Sequence, residues 1–149
     1  MSRGAEAVIA ATRAWLGTPY RHQASLRGVG CDCLGLVRGV WRDVVGDEPE
    51  TAPAYSANWA ETNGQETLLA AAGRNFKPIP KSRMEAGDVL VFRMNAGSVA
   101  KHCGILCATG EAPRFIHAYE GQEVVEAALL PFWKSRLAGV FRFPITREG

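Results

Sequence analysis

The stretch Gly30-Cys-Asp-Cys-Leu-Gly-Leu-Val-Arg-Gly-Val-Trp-Arg-Asp-Val-Val-Gly46 organises the whole chain. Leu36, Val37, Val40, Trp41 and Val44 recur at helical spacing and form one apolar stripe, which Gly46 closes. Asp32 stands where a helix N-cap belongs, because its carboxylate can accept the orphan backbone N–H groups of the first turn. Cys33 is then the first helical residue. A sulfur at that point faces unpaired amides and the positive end of the helix dipole.

Working outward, residues 5–16 place Val8, Ala11, Trp15 and Leu16 on one helical face, with Thr12 as the polar intruder. Gly17 and Pro19 stop that helix. Residues 18–30 read as a Gly- and Arg-rich loop. Downstream, residues 47–60 read as an extended loop with Pro49 and Pro53, and residues 62–72 as a weaker helix ended by Gly73. Pro78 and Pro80 punctuate the chain before the pattern turns to β. Strands are expected over residues 89–92, 103–107, 115–119, 123–126 and 139–143, separated by Gly97, Gly110, Pro113 and Gly121, with a helical turn at 131–136. Helices first and strands second predict an α+β domain with an antiparallel sheet.

The 149 residues suit one domain, 1–149, and no internal repeat divides them. Hydrophobic residues make up 47% and charged residues 21%, which excludes a disordered or collagenous chain. A net charge of +2 argues against a dedicated nucleic-acid binder. No apolar run reaches the roughly 20 residues of a membrane span, and the first residues do not read as a secretory signal.

Four cysteines stand at 31, 33, 103 and 107. A thiol has an ordinary pKa of about 8.5, and only the thiolate attacks well; a helix N-terminus lowers that value. The same amides can receive an oxyanion after attack on a carbonyl. Asp32 opposes this unless capping turns its carboxylate toward the backbone. A buried small apolar role for Cys33 is the competing reading. The nucleophile needs a base, and His22, His102 and His117 are the candidates. Residues 102 and 117 lie on strands expected to be neighbours, so their imidazoles can face each other. Zinc is a rival for the four sulfurs, but C-x-C and C-x-x-x-C are poor metal spacings. Alternation would also put Cys103 and Cys107 on one strand face and His102 on the other. A redox C-x-C lacks the accompanying βαβ pattern.

Gly17-Thr-Pro-Tyr20, followed by Gly30-Cys-Asp-Cys33-Leu-Gly-Leu-Val37, resembles the nucleophile region of the NlpC-type cell-wall peptidases, a papain-like family with a G-x-P-Y segment and then Asp-Cys-Ser-Gly-Leu-Val. Ala86-Gly-Asp-Val-Leu-Val-Phe92 is similar to the family's first barrel strand, His102-Cys-Gly-Ile105 to its His-Val-Gly-Ile strand, and Phe115-Ile-His117-Ala to the strand bearing its third, polar residue. The closing Ala138-Gly-Val-Phe-Arg-Phe-Pro144 is similar to short versions encoded among phage-tail and gene-transfer-agent tail proteins. Leu34 replaces the usual serine and Cys103 the usual valine. Alternation turns Cys103 away from the face of His102, toward the core.

The resemblance implies a papain-like fold, with helices and a nucleophile-bearing helix N-terminus packed on a C-terminal antiparallel sheet or half-barrel. It implies Cys33 as nucleophile, His102 as base and His117 as the group that orients it. Tyr20 matches the tyrosine beside the nucleophile, and Asp32 and Arg21 join it as oxyanion or substrate contacts; Arg27 and His22 are further candidates for carboxylate-rich stem peptides. No cofactor or metal is implied. The implied activity is hydrolysis of peptidoglycan stem peptides, carried on a phage-like tail that binds tip or hub proteins and opens a recipient's wall. Trp59 and residues 133–136 are candidate docking surfaces. The other readings are a catalytically inactive tail adaptor, and amidase or acyltransferase chemistry with the same residues.

Overall fold

The computed structural model describes residues 1–50, 66–95 and 97–145 of the chain. Ser2 opens the first helix: its Oγ accepts from the Ala5 amide at 3.0 Å, and α1 follows over Arg3–Arg13. The polar intruder is satisfied within the helix, since the Thr12 hydroxyl donates to the Val8 carbonyl at 2.6 Å. The helix stops earlier than the apolar stripe suggests. Trp15 is buried beyond its end, but Leu16 is 40% exposed rather than part of the packed face. Gly17 takes a φ of 86°, a left-handed turn open to glycine at no steric cost.

Where the sequence reads as loop, two short strands, β1 (Ser25–Leu26) and β2 (Gly30–Cys31), form a hairpin that leads into the next helix. That helix, α2, spans Cys33–Val44 with Asp32 as its cap. Leu36 and Val40 are fully buried, each contributing roughly 1.5–3 kcal/mol relative to exposure. Gly39 lets Trp15 lie directly on α2: a β-carbon there would fall 2.0 Å from the indole.

The expectations for residues 51–60 and 62–65, and the proposed surface at Trp59, lie outside the described residues. Helix α3 covers Thr67–Asn75 and runs through Gly73 instead of ending there. A β-carbon on Gly73 would meet nothing within 4 Å, so that glycine weakens the helix without marking a turn.

Strands β3 (Lys77–Ile79), β4 (Val89–Arg93), β5 (Ala100–Ala108), β6 (Arg114–Ala118), β7 (Val124–Ala128) and β8 (Leu137–Arg142) build one sheet in the order β3-β8-β4-β5-β6-β7. Every pair is antiparallel. The α+β class and antiparallel sheet read from the sequence are those of the structure. Pro78 masks strand β3 in the sequence; as an edge strand it pairs on one side only and tolerates the missing N–H. A short helix, α4 (Pro131–Lys134), precedes β8.

Each sheet face buries a different partner. Val89, Val91, Cys103, Ile105 and Ile116 pack with residues of α1 and α2. Leu90, Phe92, Leu106, Phe115 and Val140 pack with Leu129 and Trp133. The register of β4 on β5 jumps between Phe92, opposite His102, and Arg93, opposite Ala100. Lys101 is therefore the extra residue of a bulge immediately before His102, and a bulge bends and twists a strand where it occurs.

Candidate active site

The first turn of α2 delivers Cys33 to the start of β5. Its sulfur lies 3.8 Å from the Lys101 carbonyl oxygen, and the Cys103 sulfur lies 3.4 Å from the Cys33 carbonyl oxygen. Asp32 is turned to the backbone, as capping requires: Oδ1 accepts from the Gly35 amide at 2.8 Å and Oδ2 from the Gln23 amide at 2.7 Å. The Cys33 and Leu34 amides are left as the first two donors of the helix, which have no acceptor within it.

The neighbouring Cys103 thiol, and after it the imidazole of His102 and its charge, hold the Cys33 thiol well below its ordinary pKa. Burial and the Asp32 carboxylate pull the other way and lose. Cys103 moves in the opposite sense, pushed well up first by the neighbouring Cys33 and then by burial. Of the two thiols, Cys33 is the one that ionises more readily.

His102 and His117 come together as the strand pattern predicts, with His102 Nε2 2.8 Å from His117 Nδ1. Both are buried, at 7% and 3% exposure. Burial first, and the charge of His102 second, push the His117 pKa down to about 3. His117 is therefore neutral, so its Nδ1 can offer a lone pair to the Nε2–H of a His102 that takes up the thiol proton on its other nitrogen. That bond orients the His102 ring and leaves its Nδ1 to work on the thiol side. Gly104 makes the room: a β-carbon there would fall 3.0 Å from the His117 β-carbon.

The imidazoles sit in an aromatic box. Trp133 lies 5.5 Å from His102 and 5.2 Å from His117 between ring centroids; Tyr119 stacks on His117 at 5.5 Å and Phe115 approaches it at 4.3 Å. Trp133 is buried, not a free docking surface, and Arg136 is folded over the Phe132 ring at 3.8 Å. The sequence offers Trp133 only as a docking surface and Tyr119 not at all. Only Phe115, two residues before His117 on one strand face, carried a usable signal.

Tyr20 sits on a chain segment held on either side: before it the Val124 amide donates to the Thr18 carbonyl at 2.9 Å, and after it the Arg21 amide donates to the Cys31 carbonyl at 3.0 Å. Burial, then the charges of Cys33 and Asp32, raise the Tyr20 pKa, so the phenol stays protonated and can donate. Arg21 is exposed, with its aliphatic stem over Gly30; a β-carbon at residue 30 would fall 2.4 Å from Arg21 Cδ. His22 lies 3.9 Å from Asp32, and Arg27 is exposed at the hairpin tip. Cys31 is fully buried and its thiol is pushed up to about 12, chiefly by burial. All four cysteines are free, and among the described residues no group of three or more His, Cys, Asp and Glu is placed to hold a metal ion.

Chemically, this is a readily ionised thiol at a helix N-terminus beside a pair of imidazoles bonded to each other. Residues 17–142 match the NlpC/P60 family. Gamma-DL-glutamyl hydrolase of Bacillus subtilis (strain 168) is 30% identical over 138 residues, 91% of this chain and 29% of that protein. Murein DD-endopeptidase MepH of Escherichia coli (strain K12) is 31% identical over 130 residues, 85% of this chain and 41% of that protein. The chain thus spans less than half the length of these two relatives. Among solved structures, the NlpC/p60 domain of the peptidoglycan hydrolase SagA superposes with a TM-score of 0.65 at 22% identity, covering 93% of this chain and 98% of that domain. An NlpC/P60 family protein from Bacillus cereus ATCC 10987 gives 0.67 at 20% identity, covering 96% and 41%.

Proposed function

The chain belongs to the NlpC/P60 family, and on that premise we propose that it is a cysteine endopeptidase of peptidoglycan stem peptides, with Cys33 as nucleophile, His102 as acid and base, and His117 as its orienting partner. The observation that carries this reading is the 2.8 Å bond between His102 and His117 beside a thiol that His102 helps to ionise. A structural pair of buried histidines has no need of an ionised sulfur next to it.

The steps follow from the geometry. The Cys33 thiolate attacks the carbonyl carbon of a peptide bond, and the electron pair moves onto the carbonyl oxygen. The Cys33 amide and the Tyr20 hydroxyl receive that oxyanion. Collapse breaks the C–N bond as the imidazolium of His102 gives its proton to the leaving amine. Water then attacks the thioester while His102 takes its proton, releasing a carboxylic acid and restoring the thiolate. His117 stays neutral throughout and keeps the His102 ring in plane. Asp32 acts on the helix rather than on substrate, and exposed Arg21 is available to substrate carboxylates.

The names of the two relatives, a gamma-DL-glutamyl hydrolase and a murein DD-endopeptidase, frame the bond classes to compare. Digestion of purified sacculi and defined muropeptides, with mass analysis of the products, tests the proposal. New amino groups and cut stem peptides that vanish in Cys33→Ala are expected. Intact muropeptides with the wild-type protein would overturn the enzyme reading and favour an adaptor. Products of amide exchange would point to acyl transfer.

The resemblance of residues 138–144 to tail-encoded versions supports delivery on a phage-like tail, with residues 1–149 acting as one unit in the recipient's wall. Mass spectrometry of purified particles is the test, and absence of this polypeptide would refute that delivery.

A further inference from the structure

Glu66 opens α3 without capping it. It stands at the N-cap position, and among the described residues its side chain makes no bond to the first amides of the helix. Those amides lack acceptors inside the helix, and Ser, Thr, Asp or Asn at this position would supply one. The carboxylate reaches across to the sheet instead: Oε1 accepts from the Ala100 amide at 3.0 Å, and Oε2 from Arg93. The same Arg93 nitrogen donates to the Ser98 carbonyl at 2.9 Å. The Ala100 bond is the leading reason that the Glu66 carboxyl lies below its ordinary pKa, with burial opposing and Arg93 adding to it.

Ala100 begins β5 and is fully buried. It lies opposite Arg93 and His102 lies opposite Phe92, so the bulge at Lys101 falls between the residue Glu66 holds and the imidazole. A bulge disrupts the ladder locally, and other contacts must then set the strand. The register with β6 begins only at Ile105, so that ladder gives the bulge no direct support. From the bulge, the Lys101 carbonyl oxygen lies 3.8 Å from the Cys33 sulfur, and His102 is the next residue. Where Ala100 is held therefore decides where the following two residues stand relative to Cys33.

We propose that Glu66 is a positioning residue for His102: by holding the Ala100 amide it fixes the bulge at Lys101, and with it the place of the imidazole relative to the Cys33 sulfur. The proposal rests on the reading of Cys33 and His102 as nucleophile and base. Glu66 touches neither the substrate nor the reacting atoms and acts through the backbone of two residues. Arg93 orients the carboxylate and ties it to the chain before Ala100 through Ser98. An error of about 1 Å in such an arrangement can cost on the order of 100-fold in rate.

Glu66→Asp separates positioning from stability. It draws the carboxylate back from Ala100 by one methylene, while aspartate is a preferred N-cap and steadies α3. Glu66→Gln keeps the reach and an accepting oxygen. Three quantities are measured in the full chain: kcat and KM on a defined muropeptide, the urea midpoint, and the rate of Cys33 carboxamidomethylation by iodoacetamide at neutral pH, read by peptide mass spectrometry. Glu66→Asp should lower kcat by about tenfold with KM unchanged, at a urea midpoint no lower than that of wild type. It should also slow alkylation several-fold, since His102 favours the thiolate. Glu66→Gln should recover most of both losses. Wild-type kcat and alkylation in Glu66→Asp, a loss confined to KM, or equal losses in the two variants overturn the proposal. Should Glu66→Asp fail to fold, Glu66→Ser, another preferred cap without the reach, takes its place. Alkylation needs no peptidoglycan. A wild type that cuts nothing, with alkylation that falls in Glu66→Asp and recovers in Glu66→Gln, would sink the peptidase reading and leave the positioning role standing; normal cleavage and alkylation in every variant would do the reverse.

Discussion

His102 Nε2 and His117 Nδ1 meet at 2.8 Å across two strands, and burial keeps the second ring uncharged. In the folded chain its pKa lies at about 3, against an ordinary value of 6.5. The unfolded chain therefore takes up a proton at residue 117 as pH falls through 6.5, and the folded chain does not. The sign is fixed: stability present above pH 6.5 is lost on acidification, by about 1.4 kcal/mol per pH unit down to pH 3. Urea unfolding at pH 7.5, 6 and 5 should show that slope in wild type and a shallower one in His117→Gln.

The same variant separates orientation from proton transfer. His102→Gln removes the base and should lower turnover by about 100- to 10,000-fold. His117→Gln retains an acceptor for His102 and should lose less, on the order of tenfold to 100-fold. Steady-state cleavage of a defined muropeptide reads both, and equal losses would mean that the two imidazoles act as one unit.

Removing the Asp32 cap has two consequences of opposite kind. Asp32→Ala orphans the Gly35 and Gln23 amides and should cost about 2 kcal/mol, measured by urea midpoint. Asp32→Asn keeps a capping oxygen while deleting a charge that raises the Cys33 pKa. In that variant the pH midpoint of Cys33 alkylation by iodoacetamide, read by peptide mass spectrometry, should move down.

Gly35→Ala drives a β-carbon to within 1.9 Å of the Ala24 carbonyl oxygen. Backbone cannot yield as a flexible side chain does. The preceding segment must lift off α2, and a loss of more than about 3 kcal/mol is expected by thermal or urea unfolding.

Much of this arrangement is legible in the sequence because it is local. Asp32 and Cys33 are read from capping and from the apolar stripe behind them; His102 and His117 are read from neighbouring strands and the family pattern. What escapes is decided at a distance. Alternation correctly assigns Cys103 and His102 to opposite faces of β5, yet the bulge at Lys101 lies where α2 meets the strand, and Cys33 interacts with both. Trp133 reaches the imidazoles only through the return of the chain at α4, which no spacing encodes. Pro78 reads as punctuation until its strand proves to be an edge.

The sulfur rides on a helix and the imidazoles on a sheet, so no single element holds the reacting atoms together. Sliding α2 by a fraction of an ångström along β5 would part them while every helical and strand hydrogen bond stayed closed. Thermal inactivation should therefore run ahead of the loss of far-ultraviolet ellipticity, with turnover acting as a gauge of how firmly one layer is seated on the other.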